Sequence, residues 1–192
     1  MALLILGLIL FLGGHAIAIV APGQRAALLA RLGRGPYMGL YSLVSAAGFV
    51  LVIYGFGAAR ADTVVLWNAP AFGRPLAVAL NFVALILLGA YLVPAGRIKA
   101  AIGHPMMIGT ALWSVGHLLA NGTLADLVLF GSFLAWALAD LASLYARDRA
   151  AGTVRVAGPP LNDAIAIGIG IALFAALVLF GHRYLFGVSP LG

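Results

Sequence analysis

Residues 103–122 read GHPMMIGTALWSVGHLLANG. Between Gly-His-Pro at the front and Asn-Gly at the back there is no charged residue. Proline at a first helical position, followed by an uncharged apolar run, predicts a helix over 105–120. His117 lies deep in that run. An imidazole in hydrocarbon is costly unless it meets a partner, so an intramembrane histidine is a candidate ligand or proton carrier. Only four histidines occur, at 15, 104, 117 and 182, and His15 also sits in an apolar stretch. Two scarce imidazoles in such surroundings raise the question of a metal or a haem.

Composition sets the class. Of 192 residues, 64% are hydrophobic and 8% charged, with a mean hydropathy of +1.13. Soluble domains carry roughly 25% charged residues, so an integral membrane protein is expected, as one domain over 1–192. The absence of cysteine removes disulfides, thiolate metal sites and cysteine nucleophiles. The net charge of +6 comes from basic residues scattered singly in short loops. That pattern orients a protein in a membrane and does not make a nucleic-acid surface.

Six stretches are apolar enough to span a bilayer, at about 20 residues each: 2–21, 38–59, 75–94, 105–120, 124–145 and 163–186. The expected fold is therefore an all-α polytopic bundle of six helices. Turn chemistry separates them at Pro22-Gly23, Gly35-Pro36, Pro94-Ala95-Gly96, Asn121-Gly122 and Gly158-Pro159-Pro160. Asn121-Gly122 leaves almost no loop, which predicts a tight antiparallel hairpin. Loops after the first, third and fifth stretches hold Arg25, Arg31, Arg34, Arg97, Lys99, Arg147, Arg149 and Arg155, against Arg60, Arg74 and Arg183 on the other side. This asymmetry puts both termini outside the cytoplasm. Ala16-Ile17-Ala18 imitates a signal-peptidase site, but no basic segment precedes the apolar run, so a retained helix is expected.

Topology gives each polar residue a depth. His15 lies about 9 Å short of the cytoplasmic end of the first helix, and His117 about 20 Å beyond His104 along the fourth. His104 and His117 therefore cannot grip one iron from opposite sides, whereas His15 with either of them can. Met106, Thr110, Trp113 and His117 share a helical stripe, as do Gly7, Phe11, His15 and Ala18. Asp140, taken as roughly 8 Å from the cytoplasmic end of the fifth helix, falls in the layer of His15 and His104. A carboxylate there needs a partner, and a hydrogen bond to His104 or His15 would orient the imidazole; Arg147 is the other candidate.

Each reading has a plainer rival. His15 and His117 also suit hydrogen-bonded core positions, His104 a helix cap and His182 an interface anchor. Asn81 suits a tie between helices. Trp113, Trp136, Tyr41, Tyr54 and Tyr91 wall an apolar ligand or simply pack. Gly168-Ile169-Gly170 has no preceding strand and is no nucleotide loop. The chain contains no Walker sequence, HExxH or nucleophile elbow.

The order Gly14-His15, then Gly103-His104-Pro105-Met106, then Leu112-Trp113-Ser114-Val115-Gly116-His117-Leu118, with Gly39-Leu40-Tyr41-Ser42 before the second stretch, resembles the NnrU family over nearly the whole chain. That resemblance implies a protein of the bacterial inner membrane associated with nitrite and nitric oxide metabolism in denitrification. The 15-cis-zeta-carotene isomerase belongs to the same superfamily and uses haem b held by histidines. By position, His15 and His117 match its axial ligands, and His104 a further histidine. Ser114 stands where that isomerase has an alternative cysteine ligand, and serine supplies no soft thiolate to iron. The resemblance thus implies haem b between the first and fourth stretches, ligated by His15 and His117, with His104 a further histidine. Position, not the resemblance, adds Trp113 on the stripe of His117, Asp140 in the layer of His15 and His104, and Arg25, Arg97 or Lys99 near the cytoplasmic face for the propionates. Three functions follow as expectations: a haem-based accessory or sensor responding to nitric oxide, a cis–trans isomerase of an apolar polyene, or a membrane methyltransferase or lipid-modifying enzyme without haem.

Overall fold

A computed structural model describes residues 1–191. The chain forms α1 (Ala2–Val20), α2 (Pro22–Leu32), α3 (Arg34–Ala61), α4 (Gly73–Leu92), α5 (Arg97–Ile102), α6 (Pro105–Ala120), α7 (Leu124–Ala151) and α8 (Pro160–Ala176). A π-helical turn (Leu177–Gly181) then leads into α9 (His182–Phe186). Apart from an isolated bridge between Val65 and Thr123, the described residues are helix, turn and loop, so the all-α expectation holds. Each of the six apolar stretches is helical over most of its length, but the described residues form more helices than the six expected. Five helical segments are long and apolar enough to cross a membrane, and α6, at 16 residues, is a shorter apolar helix. The short helices α2 and α5 lie where only turns were expected. α7 also runs six residues past the expected end at Tyr145, to Ala151, and that extension changes the depth of everything near its C-terminus.

The helices pack in the order α3, α1, α7, α6, α4, α8, so α7 stands between α1 and α6. Small residues set the closest approaches, as expected where lipid competes equally for apolar side chains. A Cβ on Gly48 would lie 2.6 Å from the Phe11 backbone nitrogen, and one on Gly7 would lie 2.6 Å from that of Val52. Helices α1 and α3 therefore touch backbone to backbone. Gly13 and Gly14, two turns further along α1, face open space. Leu4, Leu8, Leu12, Val52, Ala59, Ala125, Leu129 and Phe130 form a core shared by α1, α3 and α7. Large apolar side chains such as Ile9, Leu43 and Leu179 are exposed, the mark of a surface solvated by lipid.

The Asn-Gly hairpin forms as expected. Thr123 caps α7 in a capping box with Asp126: the Asp126 N–H donates to Thr123 Oγ1 at 3.2 Å, and the Thr123 N–H donates to Asp126 Oδ2 at 3.1 Å. The 62–72 loop closes over this turn, with Leu66 N–H donating to the Gly122 carbonyl at 2.8 Å. At the opposite end, Asp163 of α8 accepts from the backbone N–H groups of Arg97 (2.8 Å) and Ile98 (3.0 Å), capping α5. The eight basic loop residues gather at this end, called the basic end below.

Candidate functional site

His15 projects from α1 into a wall of aromatic rings. Its centroid lies 4.5 Å from Phe11, 5.2 Å from Tyr41 on α3 and 5.8 Å from Trp136 on α7. Its Nδ1–H donates to the Phe11 carbonyl, one turn back, at 2.7 Å. A carbonyl only accepts, so this bond fixes the tautomer and leaves Nε2 as a lone pair.

His117 on α6 repeats the device. Its Nδ1–H donates to the Trp113 carbonyl at 2.8 Å, and its ring stacks on Phe130 of α7 with centroids 4.5 Å apart. Nε2 is again the unprotonated nitrogen. A ligating imidazole is commonly oriented in this manner, with its second nitrogen donating to a backbone carbonyl.

The two imidazoles do not face each other across an open gap. Trp136, beside His15, and Phe130, beside His117, are six residues apart on α7, so the rings sit at levels about 9 Å apart along that helix. Phe133 lies between their aromatic neighbours, 5.9 Å from Phe11 and 5.4 Å from Trp113. By donor chemistry the pair suits haem iron, which takes two neutral imidazoles. By space, neither the groove along α1 and α7 nor the cavity beside His15 is lined by both imidazoles, and Phe133 packs at the level between them. Trp113, expected near a cofactor, sits at this junction against His117, Phe130 and Phe133.

His104 differs. At the N-cap of α6, its Nε2–H donates to Asp148 Oδ2 at 2.7 Å. The Arg155 guanidinium donates to the same carboxylate oxygen and lies 5.6 Å from the centre of the Tyr145 ring, which is also edge-on to His104 at 5.1 Å. The Tyr145 hydroxyl donates to the Ile102 carbonyl at 2.6 Å. Gly103, at φ +74°, lies directly under the guanidinium. Together these residues latch the α5–α6 junction to the C-terminal end of α7 and the chain beyond it.

Asp140 does not hydrogen-bond to His104 or His15. It pairs with Arg147 at 3.7 Å, while that guanidinium also donates to the Ala18 carbonyl (3.2 Å) and to Ser143 Oγ (3.1 Å). The expectation failed on depth. Since α7 continues to Ala151, Asp140 lies about 16 Å from its end, and Asp148 is the carboxylate level with His104. No sequence signal identified the latch, because its members are 44 and 51 positions apart. Lys99, a candidate for a propionate, donates to the Tyr91 (2.9 Å) and Val93 (3.0 Å) carbonyls at the end of α4. Asn81 donates to Ala77 of its own helix at 2.7 Å, against the spot where a Cβ on Gly116 of α6 would lie. His182 donates to the Val188 carbonyl at 2.8 Å. Ser114 is fully buried, with its hydroxyl unpartnered among the described residues.

An open apolar groove of about 480 Å³ runs along α1 and α7, from Ile5 and Leu8 past Val128 and Ser132 to Trp136 and Ala139.

A family model described as NnrU protein matches residues 3–190. No curated protein and no solved structure matches the chain. The match covers nearly the whole sequence and includes the Gly-His-Pro-Met and Leu-Trp-Ser-Val-Gly-His segments that carry His104 and His117; on that coverage, the chain belongs to the NnrU family.

Proposed function

We propose that this protein is a haem b-binding accessory or sensor in nitrite and nitric oxide metabolism, in which His15 and His117 would hold the haem iron. Family membership suggests the metabolic setting. One observation carries the cofactor: both imidazoles lie in apolar helices with Nδ1–H committed to the preceding turn, so each offers Nε2 to a metal. Haem supplies an iron centre suited to nitric oxide chemistry. The chain's own residues hold the imidazoles and keep water away with Phe11, Trp113, Phe130 and Phe133. In this reading α6 is the sixth span, the basic end faces the cytoplasm of a bacterium, and both termini lie in the periplasm, following the basic-residue asymmetry.

The test is an absorption spectrum of the detergent-purified full chain, oxidised and reduced, after haem supplementation. A Soret band that His15→Ala and His117→Ala each move from six- toward five-coordinate supports the proposal. No band with supplemented wild type overturns it.

The groove along α1 and α7 favours a second reading, a polyene cis–trans isomerase. Trp136 lines the groove and touches His15, so an extended apolar chain could lie beside the imidazole. Product analysis with a cis-carotene and the reduced protein separates the two.

A further inference from the structure

A second cavity, smaller and more polar, opens at the elbow where α1, α2 and α3 meet. It encloses about 210 Å³ and is lined by Gly14, His15, Ala18, Arg25, Tyr37, Met38 and Tyr41. At about 30 Å³ per water this equals roughly seven waters, room for a phosphate with its ester oxygens. It falls below the roughly 300–1,000 Å³ of pockets that take larger ligands.

Its charge is uncompensated. Residues 1–61 contain no Asp or Glu, while α2 and the start of α3 bring Arg25, Arg31 and Arg34. Among the described residues Arg25 has no ion pair and no side-chain hydrogen bond; its guanidinium lies 5.9 Å from the centre of the Tyr37 ring. The carboxylate on the neighbouring α7, Asp140, is taken by Arg147. Tyr37 is buried and so forms a fixed wall.

Depth selects the source of the anion. α1 has 19 residues, about 28 Å of helix, close to the roughly 30 Å hydrocarbon thickness. The elbow at Ala21 therefore meets the membrane boundary, with Arg25 one turn beyond, at the level of lipid phosphates. Helix α2 buries none of its residues and carries its basic side chains into that layer.

We propose that this elbow binds the phosphate of one anionic phospholipid, with Arg25 as its charge partner, a Tyr41 hydroxyl bond, and the glycerol against Met38. A phosphate from solution offers the same chemistry, but the position at the bilayer boundary favours the lipid.

The experiment places the full chain in phosphatidylcholine nanodiscs with increasing phosphatidylglycerol and counts retained lipids by native mass spectrometry. Wild type should retain one phosphatidylglycerol in preference to phosphatidylcholine. Arg25→Gln should reduce that preference at least the about fivefold that one basic residue contributes beside an anionic surface, while Arg31→Gln, outside the cavity, should preserve it. Tyr41→Phe should reduce it less, and this variant carries the test if Arg25→Gln does not fold. Absence of any preference in wild type, or equal losses for Arg25→Gln and Arg31→Gln, overturns the site. Displacement of the lipid from wild type by inorganic phosphate reassigns the cavity to a free anion, and displacement by hemin to porphyrin carboxylates; either result overturns the lipid.

Discussion

Three of the four histidines fall into two environments, one at the start of α6 and one inside the apolar helices α1 and α6. At the basic end, His104 spends Nε2–H on Asp148, in a cluster where Arg155 and Tyr145 close the remaining space. Inside the bundle, His15 and His117 donate only backward to their own helices and leave Nε2 uncommitted. Each arrangement commits one ring nitrogen, but the first turns Nε2, at the tip of the ring, to a carboxylate, whereas the second leaves Nε2 as the lone pair for a ligand. A histidine in an apolar helix is therefore not distinguished by burial. What matters is which nitrogen its local hydrogen bond consumes.

The largest expected effect bears directly on that contrast. His15→Ala or His117→Ala should weaken haem retention beyond the about 100-fold that loss of an outer-shell partner reaches, whereas His104→Ala should leave the Soret band in place. Haem titration of the three variants settles which environment binds. Loss of the band in His104→Ala with retention in the other two would reverse the assignment.

Packing around the sites should respond unequally as well. Gly48→Leu forces a side chain into the α1 backbone and should cost about 1–3 kcal/mol, read by unfolding in detergent. Gly14→Ala, beside His15 but facing open space, should be neutral or slightly stabilising in the same assay. Similar losses for both would mean that the backbone contact is not what joins α1 to α3.

The latch should yield to Gly103→Ala. Its φ of +74° with ψ of −60° is a strained backbone region that costs a residue with a Cβ about 1–3 kcal/mol, and the Arg155 guanidinium would have to shift. A lowered thermal midpoint with an unchanged haem spectrum is the expected result. A spectral change would show that the latch and the interior imidazoles are coupled.

The smallest effect separates two carboxylates. Asp148→Ala should lower the midpoint more than Asp140→Ala, because the first holds both His104 and Arg155 and the second only a half-exposed Arg147. The reverse order would restore Asp140 as the important acid.

Much of the architecture is legible along the chain. Apolar runs bounded by Pro, Gly and Asn mark the six main helices, because membrane burial is dictated by local composition. The hairpin at Asn121-Gly122 and the gathering of basic residues at one end follow from local signals too. Helix length was less legible: α7 passes Tyr145 into Ala-Arg-Asp-Arg-Ala-Ala, residues that form helix readily and carry no stop until Gly152.

By itself, the sequence determined the membrane class, the helical stretches and the scarcity that makes His15 and His117 notable, since these depend on neighbours within a few turns. Only the tertiary structure decided which carboxylate reaches His104, that Phe133 packs between Phe11 and Trp113 and that Arg25 closes a cavity with Tyr37 and Tyr41. Those outcomes depend on where each helix ends and how it is rotated against α7 or α3. A few residues of length or a fraction of a turn exchanges Asp140 for Asp148, and contacts across many tens of residues leave no local signature.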